Sequence, residues 1–201
     1  MLNEYPSAAI FGCAGLALSD EEKEFFSRVN PLGFILFSRN IATPEQLKTL
    51  VQSLRETVER DDAPILIDQE GGRVSRLKSS YWPKYPPART FGDKYKTNAE
   101  QGTKGAYETA RLIGHDLSEL GINVNCAPVL DVPVEGSIDT ILGDRTFSSE
   151  PQLNGLLGKS VCDGLLAEGV LPVVKHTSTT CSRSATWRWP AGARWSSPAA
   201  P

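Results

Sequence analysis

The 201-residue chain has only four cysteines, and no two of them form a CxxC pair. A disulfide framework or a structural zinc site needs paired or clustered cysteines, so buried reduced thiols in a cytosolic protein are the better interpretation. No apolar run approaches the roughly 20 residues that a membrane helix requires. The first basic residue is Lys23, so the N-terminus lacks the basic region of a secretory signal, and a cytoplasmic location is expected.

An excess of positive charge is also absent. The chain has 21 Lys and Arg against 24 Asp and Glu. Nucleic acids and anionic membrane surfaces attract clustered positive charge, so neither is an expected partner. The sequence contains no nucleotide-binding glycine loop and no metal-ligand constellation, and we therefore expect no cofactor.

Apolar runs of strand length alternate with amphipathic helical segments along the chain. The predicted strands are residues 8–16, 33–37, 64–68, 124–130 and 170–174. Helix starts are predicted at the capping residues Ser19, Thr43 and Ser149, and residues 77–97 are predicted to form a long loop. This alternation implies a parallel sheet with crossover helices.

The alternation predicts an α/β fold, namely a TIM (β/α)₈ barrel truncated to about its first five β/α units. A complete barrel needs about 250 residues and eight strands. An open doubly wound sheet is the alternative. It is disfavoured because no G-x-G-x-x-G motif follows the first strand and because polar residues stand at several strand ends.

Residues 177–201 differ in composition from the rest of the chain. They contain three of the four Trp but no Leu, Ile, Val, Phe, Tyr, Asp, Glu or Lys. GC-rich codons give such a composition when they are read out of frame, so we interpret the segment as an aberrant, disordered tail after a frameshift. A genuine disordered linker is the alternative. The predicted organisation is a partial barrel domain at 1–176 and this tail at 177–201.

Polar side chains follow four of the predicted strands. They are Arg39 with Asn40, Asp68, Asp131, and Lys175 with His176. In a parallel barrel these strand ends point to one face, where the active sites of such enzymes lie. Asp68 ends an apolar strand, where a carboxylate needs partners that Arg73 or Arg76 can supply. Gly71 and Gly72 would let the backbone approach a ligand closely.

Five motifs occur in order along residues 1–176. They are Gly33-Phe-Ile-Leu-Phe-Ser-Arg-Asn40, Asp68-Gln-Glu-Gly-Gly-Arg-Val-Ser-Arg76, Ala127-Pro-Val-Leu-Asp131, Gly143-Asp-Arg-Thr-Phe147 and Lys175-His176. Together they make the chain resemble the glycoside hydrolase family 3 β-N-acetylhexosaminidases, bacterial cytosolic enzymes of cell-wall recycling. The resemblance implies removal of N-acetylglucosamine from muropeptides that carry 1,6-anhydro-N-acetylmuramic acid, without a metal or cofactor.

The resemblance also implies substrate-binding roles for the matching positions. Asp68 would accept hydrogen bonds from hydroxyls of the terminal sugar, and Arg76 would contact that sugar from the same loop. Arg145, Lys175 and His176 would lie in the sugar pocket. The chemistry fits, because a carboxylate and several cationic donors can bracket the vicinal hydroxyls of a polyol.

Several of these polar residues also have a structural interpretation. Glu70 and Arg73 could simply brace the turn by an ion pair, and Asp131 could hold only backbone amides. Arg145 could form an ion pair in a surface loop. His115 lies in the middle of a predicted helix and is interpreted as a structural histidine.

The catalytic residues of the family have no counterpart in this sequence. The family resemblance implies a histidine paired with an aspartate as the acid/base, in a Pro-Gly-His-Gly run and an Asp-Ser-His triplet, and an aspartate nucleophile on a later strand. Here His176 is followed by Thr177-Ser-Thr-Thr-Cys181, and no acidic residue follows Glu168. We therefore assign no catalytic residue and expect this chain to be inactive.

Three other functions stay open. The chain could be a sugar-binding remnant without catalysis, or a pseudogene product without function. It could also be a barrel aldolase, because desolvation of Lys175 after an apolar strand would favour the neutral amine that forms a Schiff base. The aldolase hypothesis leaves the run from Asp68 to Arg76 unexplained.

Overall fold

A computed structural model of the protein describes residues 5–78, 81–133 and 142–176. The strands are β1 (Ser7–Phe11), β2 (Pro31–Leu36), β3 (Ile65–Ile67), β4 (Val124–Asn125) and β5 (Leu171–Pro172). The helices are α1 (Asp20–Val29), α2 (Pro44–Thr57), α3 (Ala88–Thr97), α4 (Ala99–Ser118) and α5 (Pro151–Ala167). The predicted aberrant tail at 177–201 lies outside the described residues, so the frameshift hypothesis stays a prediction.

The strands lie side by side in chain order, β1-β2-β3-β4-β5, and every neighbouring pair is parallel. A doubly wound sheet reverses its strand order at a switch point, and the five described strands show no reversal. The fold is α/β with a parallel sheet, and the doubly wound alternative is wrong. Four of the five strands are shorter than predicted, such as the fifth, which spans Leu171–Pro172 and not 170–174, whereas β2 is one residue longer.

Two helices begin where their capping residues predict. Ser19 Oγ accepts the N–H of Glu22 at 3.2 Å, and the N–H of Ser19 donates to Glu22 Oε2 at 3.0 Å, which forms a capping box. Thr43 accepts the N–H of Gln46 at 3.2 Å, with Pro44 in the first turn of α2. Within the described ranges, no helix combines the length and apolarity needed to span a membrane.

The start of α5 differs from the prediction. Its N-cap is Glu150 and not Ser149, and the Glu150 side chain makes no capping hydrogen bond. Pro151 disfavours a helical conformation in the residue before it, so the helix begins only at the proline. Asn154 in the first turn of α5 stabilises this end of the helix instead, because its side-chain oxygen accepts the N–H of Ser148 at 2.8 Å.

The prediction of a continuous loop at 77–97 is wrong, because α3 occupies Ala88–Thr97. Phe91 and Gly92 are buried in this helix, and Ala88 and Tyr95 pack against the same cluster as Phe91, so the helix has an apolar stripe at helical spacing that the loop prediction overlooked. A Cβ at Gly92 would lie 1.8 Å from the carbonyl oxygen of Phe147. The missing side chain therefore lets α3 pack directly against the segment that carries Arg145.

The two faces of the sheet differ in how far they are covered. The helix-packed face is buried at its centre, where Phe34, Leu36, Ile65 and Ile67 are at most 1% exposed, whereas Phe11 and Pro172 at its edges are only partly buried. On the opposite face, which we call the inner face, Leu66 and Val124 are 8% and 5% exposed, whereas Ile10 in β1 and Leu171 in β5 are 44% and 41% exposed. The inner face is therefore covered at its centre and open at both edges.

Candidate functional site

Asp68 lies just after β3, where two cations bind it. Lys175 donates from Nζ to Asp68 Oδ1 at 2.8 Å, and Arg76 donates from Nη2 to Asp68 Oδ2 at 3.1 Å. Burial by itself would raise the pKa of Asp68, but the hydrogen bonds and charges of Lys175 and Arg76 outweigh it and hold that pKa below its ordinary value. The Asp68 side chain, 18% exposed, is thus an ionised acceptor at neutral pH.

Glu70 supplies a second carboxylate beside the first. Its Oε1 lies 2.6 Å from Lys175 Nζ, and Arg145 donates to both of its oxygens, each at 2.9 Å. The hydrogen bonds to Glu70 raise the pKa of Arg145 against the opposing effect of burial. With its side chain only 7% exposed, Glu70 is the most buried charge of this group. We call Asp68, Glu70, Arg76, Arg145 and Lys175 the Asp68 cluster.

Arg73 lies outside the Asp68 cluster. Its Nε donates to Asp144 Oδ1 at 3.1 Å, and both side chains are more than 40% exposed, at 45% and 41%. The interpretation that Glu70 and Arg73 brace the turn together is therefore wrong. Of the two arginines that the sequence offered as partners of Asp68, Arg76 is confirmed, and Arg73 pairs with Asp144 instead.

His176 and Asp131 form a pair next to the Asp68 cluster. His176 Nδ1 lies 2.7 Å from Asp131 Oδ2, and the side chains are 49% and 6% exposed. The Asp131 carboxylate orients the imidazole ring and leaves Nε2 for another partner. The backbone carbonyl oxygen of Asp131 accepts from Asn154 Nδ2 at 3.1 Å. Because the Asp131 carboxylate contacts the His176 side chain, the interpretation that it holds only backbone amides is wrong.

Two buried amide side chains fix the loop of residues 68–76. Gln69 Oε1 accepts the backbone N–H groups of Arg76 and Leu77 at 2.8 and 3.1 Å. Asn125 in β4 binds both backbone polar groups of Gln69, accepting its N–H at 3.0 Å and donating to its carbonyl at 2.9 Å. Gln69 and Asn125 are each 1% exposed. Three of these four hydrogen bonds are buried and the fourth is partly buried, so they stabilise the conformation of the loop.

Gly71 and Gly72 form the turn of this loop. Their φ angles are +95° and +57°, in a region that residues with a side chain rarely adopt. A Cβ at Gly71 would also lie 2.4 Å from the carbonyl oxygen of Pro86. The glycines are thus required by the turn and by close packing of two loops, and the close approach of a ligand that the sequence suggested for them stays a prediction.

Three other polar residues that the sequence singled out have structural surroundings. Asn40 is buried and donates to the carbonyl oxygens of Cys13 and Gly15 at 3.1 and 2.8 Å. Arg39 donates to the same Cys13 carbonyl at 3.0 Å. These bonds join the loop after β1 to the turn after β2. His115 is exposed on α4, in agreement with its structural interpretation.

The structure therefore brings four of the five predicted substrate-binding residues into one ion-pair network. Asp68, Arg76, Arg145 and Lys175 share that network, and His176 follows Lys175 directly. Glu70 is the member that the sequence reasoning missed. Its position two residues after Asp68 was a usable signal, because that spacing places side chains on one side of an extended segment.

The arrangement suits a ligand rich in hydroxyl groups. Carboxylates accept hydrogen bonds from hydroxyls, and the arginine and lysine side chains donate to hydroxyl oxygens. Among residues 5–78, 81–133 and 142–176, no group of three or more His, Cys, Asp or Glu is placed to hold a metal ion. Burial, followed by the charge of Asp68, raises the pKa of the Cys126 thiol, which disfavours a reactive thiolate there.

Sequence comparison finds two kinds of similarity. A profile of the glycosyl hydrolase family 3 N-terminal domain matches residues 8–185. The chain is 34% identical to the beta-hexosaminidase of Methylococcus capsulatus over 167 residues, which are 83% of this chain and 48% of that protein. The chain spans about half the length of the curated relatives it matches.

Solved structures with the same fold agree with the sequence comparison. NagZ from Neisseria gonorrhoeae in complex with N-trifluoroacetyl-D-glucosamine gives a TM-score of 0.80 at 28% identity, over 86% of this chain and 50% of that one. A glycoside hydrolase family 3 β-N-acetylglucosaminidase from a Paenibacillus species gives a TM-score of 0.73 at 34% identity, over 84% of this chain and 31% of that one.

Proposed function

Because the chain belongs to glycoside hydrolase family 3 by its N-terminal domain, we propose that the Asp68 cluster binds the terminal sugar of a β-linked N-acetylglucosaminide. The complete protein of this type is then a β-N-acetylhexosaminidase. Two findings support the proposal. The curated relatives are beta-hexosaminidases, and one similar structure was solved with an N-acylated glucosamine.

The observation that carries the proposal is the ionised Asp68 between two cations. Each of its carboxylate oxygens receives one hydrogen bond, from Lys175 or from Arg76, and keeps a further lone pair for a ligand. Two neighbouring hydroxyls of a sugar can donate to Asp68 while their oxygens accept from the flanking cations. Two neighbouring hydroxyls of one sugar can thus hydrogen-bond to Asp68, Lys175 and Arg76 at the same time.

We propose further that the sheet is part of a TIM barrel truncated to about its first five β/α units. In a closed barrel, side chains from all strands pack into layers that fill the interior. The exposure of Ile10 and Leu171 at the two edges of the inner face, 44% and 41%, supports this. The unbroken strand order from β1 to β5 is the order that such a barrel requires.

For the 201-residue chain itself we propose sugar binding without turnover. Retaining hydrolysis uses a nucleophile and an acid/base, usually carboxyl groups about 5–5.5 Å apart. Both carboxylates of the Asp68 cluster are instead held by ion pairs with cations. Asp131 and His176 are assigned neither catalytic role, because the family resemblance places that dyad in a later loop.

Peptidoglycan fragments are the natural substrate that we propose, with the cytoplasm as the location. The support is the resemblance to cell-wall-recycling enzymes, whereas the names of the relatives support only a β-hexosaminide substrate. The proposed partners are therefore small sugars or muropeptides, and neither a nucleic acid nor a membrane.

The surroundings of Lys175 argue against the aldolase hypothesis. Its ammonium group lies 2.8 Å from Asp68 and 2.6 Å from Glu70. Schiff-base formation would take this nitrogen out of both ion pairs and leave two largely buried carboxylates without their lysine partner. Lys175 is placed to position carboxylates and to donate to a hydroxyl, so we retain sugar binding as the function.

The test is a titration of the 201-residue chain with N-acetylglucosamine, in which saturation-transfer NMR measures the binding. We expect binding in the wild type and at least tenfold weaker binding in Asp68→Asn, since a hydrogen bond to a charged group contributes about 1.5–3 kcal/mol. Hydrolysis of 4-nitrophenyl N-acetyl-β-D-glucosaminide should remain at the level of the buffer blank.

Arg73→Gln is the matched control. Arg73 belongs to the same loop but pairs with Asp144 outside the cluster, so its replacement should change the affinity less than about threefold. Near-UV circular dichroism of each variant checks that the fold is kept. Equal affinity in wild type and Asp68→Asn would contradict the proposed site, and turnover above the blank would contradict the proposed inactivity.

A further inference from the structure

Asn154, in the first turn of α5, binds the backbone on two sides of the candidate site. Its Oδ1 accepts the N–H of Ser148 at 2.8 Å. Its Nδ2 donates to the carbonyl oxygens of Ser148 and Asp131 at 2.9 and 3.1 Å. Asn154 is 1% exposed, so all three hydrogen bonds are shielded from water. Both polar groups of the amide are therefore used, and both are used on backbone.

The two bonds to Ser148 hold the segment that carries Arg145. Asn154 binds both backbone polar groups of Ser148, which stands three residues after Arg145. The residues between them, Thr146 and Phe147, are 0% and 2% exposed. Because close-packed segments transmit displacement, a shift of Ser148 would also move Arg145. Asn154 thus helps to place the guanidinium that binds Glu70.

The bond to Asp131 holds the other side of the site. The carbonyl oxygen of Asp131 accepts from Asn154, while its Oδ2 lies 2.7 Å from Nδ1 of His176. A side chain can adopt only a few rotamers on a given backbone, so the place of the Asp131 backbone determines where its carboxylate meets the imidazole ring. Asn154 thus acts on His176 through Asp131.

Apolar packing would not fix the spacing between these two sides by itself. Leu130, next to Asp131, packs against the cluster that contains Phe147, so an apolar contact also joins the two segments. Such a contact is non-directional and tolerates sliding. Hydrogen bonds prefer a narrow range of distance and angle. The three bonds of Asn154 therefore determine the relative position of the two segments.

We propose that Asn154 is a positioning residue, which sets the spacing between Arg145 and His176 and thereby the fit of the terminal sugar between them. This inference rests on the proposed function of the Asp68 cluster. In Asn154→Leu, a side chain of similar size makes no hydrogen bond, so one N–H and two carbonyl oxygens lose their partner. These groups regain partners only by moving toward water, which displaces Arg145 and Asp131.

The experiment has two readouts on the 201-residue chain. The first is the affinity for N-acetylglucosamine, which should be about five- to tenfold weaker in Asn154→Leu. The second is the tautomer of His176, read from imidazole ¹⁵N shifts at about pH 8. The chain has two histidines, and the exposed His115 is the internal reference. In the wild type, His176 should carry its proton on Nδ1, facing Asp131, and in Asn154→Leu its shifts should approach those of His115.

Leu165→Ala is the matched control for lost stability. Leu165 lies on the same helix and is 0% exposed, but its side chain has no hydrogen-bonding group. Leu165→Ala should leave the affinity within about twofold of the wild type and the His176 tautomer unchanged. Asn154→Asp is a milder second variant, because it keeps an oxygen for the N–H of Ser148 and loses both donated bonds. It should weaken binding about threefold and shift the tautomer in the same direction.

The outcomes separate positioning from a merely structural role. If both variants of Asn154 lose stability but keep the wild-type affinity and the wild-type His176 tautomer, the inference is overturned. A change in only one of the two readouts would overturn the link between the two sides of the site. Absence of N-acetylglucosamine binding in the wild type would overturn the proposed function, whereas the tautomer would still show whether Asn154 positions His176. If Asn154→Leu does not fold, Asn154→Asp decides on the same criteria.

Discussion

Replacing Glu70 by glutamine keeps the size of the side chain and removes its charge. Glu70 receives two hydrogen bonds from Arg145 and one contact from Lys175, at 2.9, 2.9 and 2.6 Å. All three side chains are at most 15% exposed, so water can replace the lost carboxylate only in part. Glu70→Gln therefore leaves Arg145 without its bidentate partner, and Lys175 with Asp68 alone.

The size of the effect follows from these contacts. Removing one partner of a buried ion pair lowers stability by about 3–5 kcal/mol. Glutamine retains one oxygen acceptor, and Lys175 keeps Asp68, so we expect the lower end of that range, about 3 kcal/mol. This is a large part of the ~5–15 kcal/mol by which a domain is stable. With a urea m-value of about 2 kcal/mol/M, the unfolding midpoint should fall by roughly 1.5 M.

Urea unfolding followed by far-UV circular dichroism measures this change. Glu24→Gln is the control, because Glu24 is exposed on α1 and its replacement should alter stability by less than about 0.5 kcal/mol. Added salt should leave the effect of Glu70→Gln nearly unchanged, since buried pairs are screened little. A loss below about 1 kcal/mol would refute the reasoning, because it would mean that water already solvates these cations.

Three further predictions concern packing and pH. Gly92→Ala puts a Cβ 1.8 Å from a backbone carbonyl oxygen and should lower the free energy of unfolding by about 2 kcal/mol. Gly105→Ala, whose Cβ would meet nothing closer than 3.4 Å, should raise it by about 0.5–1 kcal/mol, and urea unfolding of both variants tests the contrast. Leu165 is 0% exposed, and Leu165→Ala should lower the free energy of unfolding by about 2–5 kcal/mol. Leu166 is 52% exposed, and Leu166→Ala should change it by less than about 0.5 kcal/mol. Similar unfolding midpoints of the two variants would contradict the packing described for α5. The pKa of Asp68 is lowered in the folded protein. The ionised carboxylate therefore contributes its full stabilisation above its unfolded pKa of about 4, and this contribution is lost as pH falls through the lower folded pKa. The free energy of unfolding, measured between about pH 5 and 2, should therefore depend less on pH in Asp68→Asn than in the wild type.

The face that carries the candidate site could be predicted from sequence, because polar residues that end parallel strands meet at one edge of the sheet. Asp68 and Lys175 are 107 positions apart and in contact. The apolar strand before each of them made this meeting predictable. Capping residues such as Ser19 were equally predictable, because their bonds are local.

The partners within the site could not be predicted in the same way. The bidentate pair of Glu70 and Arg145 joins two loops 75 residues apart. Such a pairing depends on the conformation of both loops, which neither composition nor periodicity encodes. Helix α3 was missed for a different reason, since the prolines and lysines of residues 77–97 favoured a loop although Ala88, Phe91 and Tyr95 stand at helical spacing.

The uneven covering of the inner face has a consequence for how this protein behaves in a test tube. Among the described strands, β1 and β5 each have a neighbour on one side only, and beside their unpaired backbone groups stand the half-exposed Ile10 and Leu171. Strand edges of this kind template pairing with another chain. In the described part of the chain both edges are available for pairing, so the fraction of larger assemblies should rise with protein concentration.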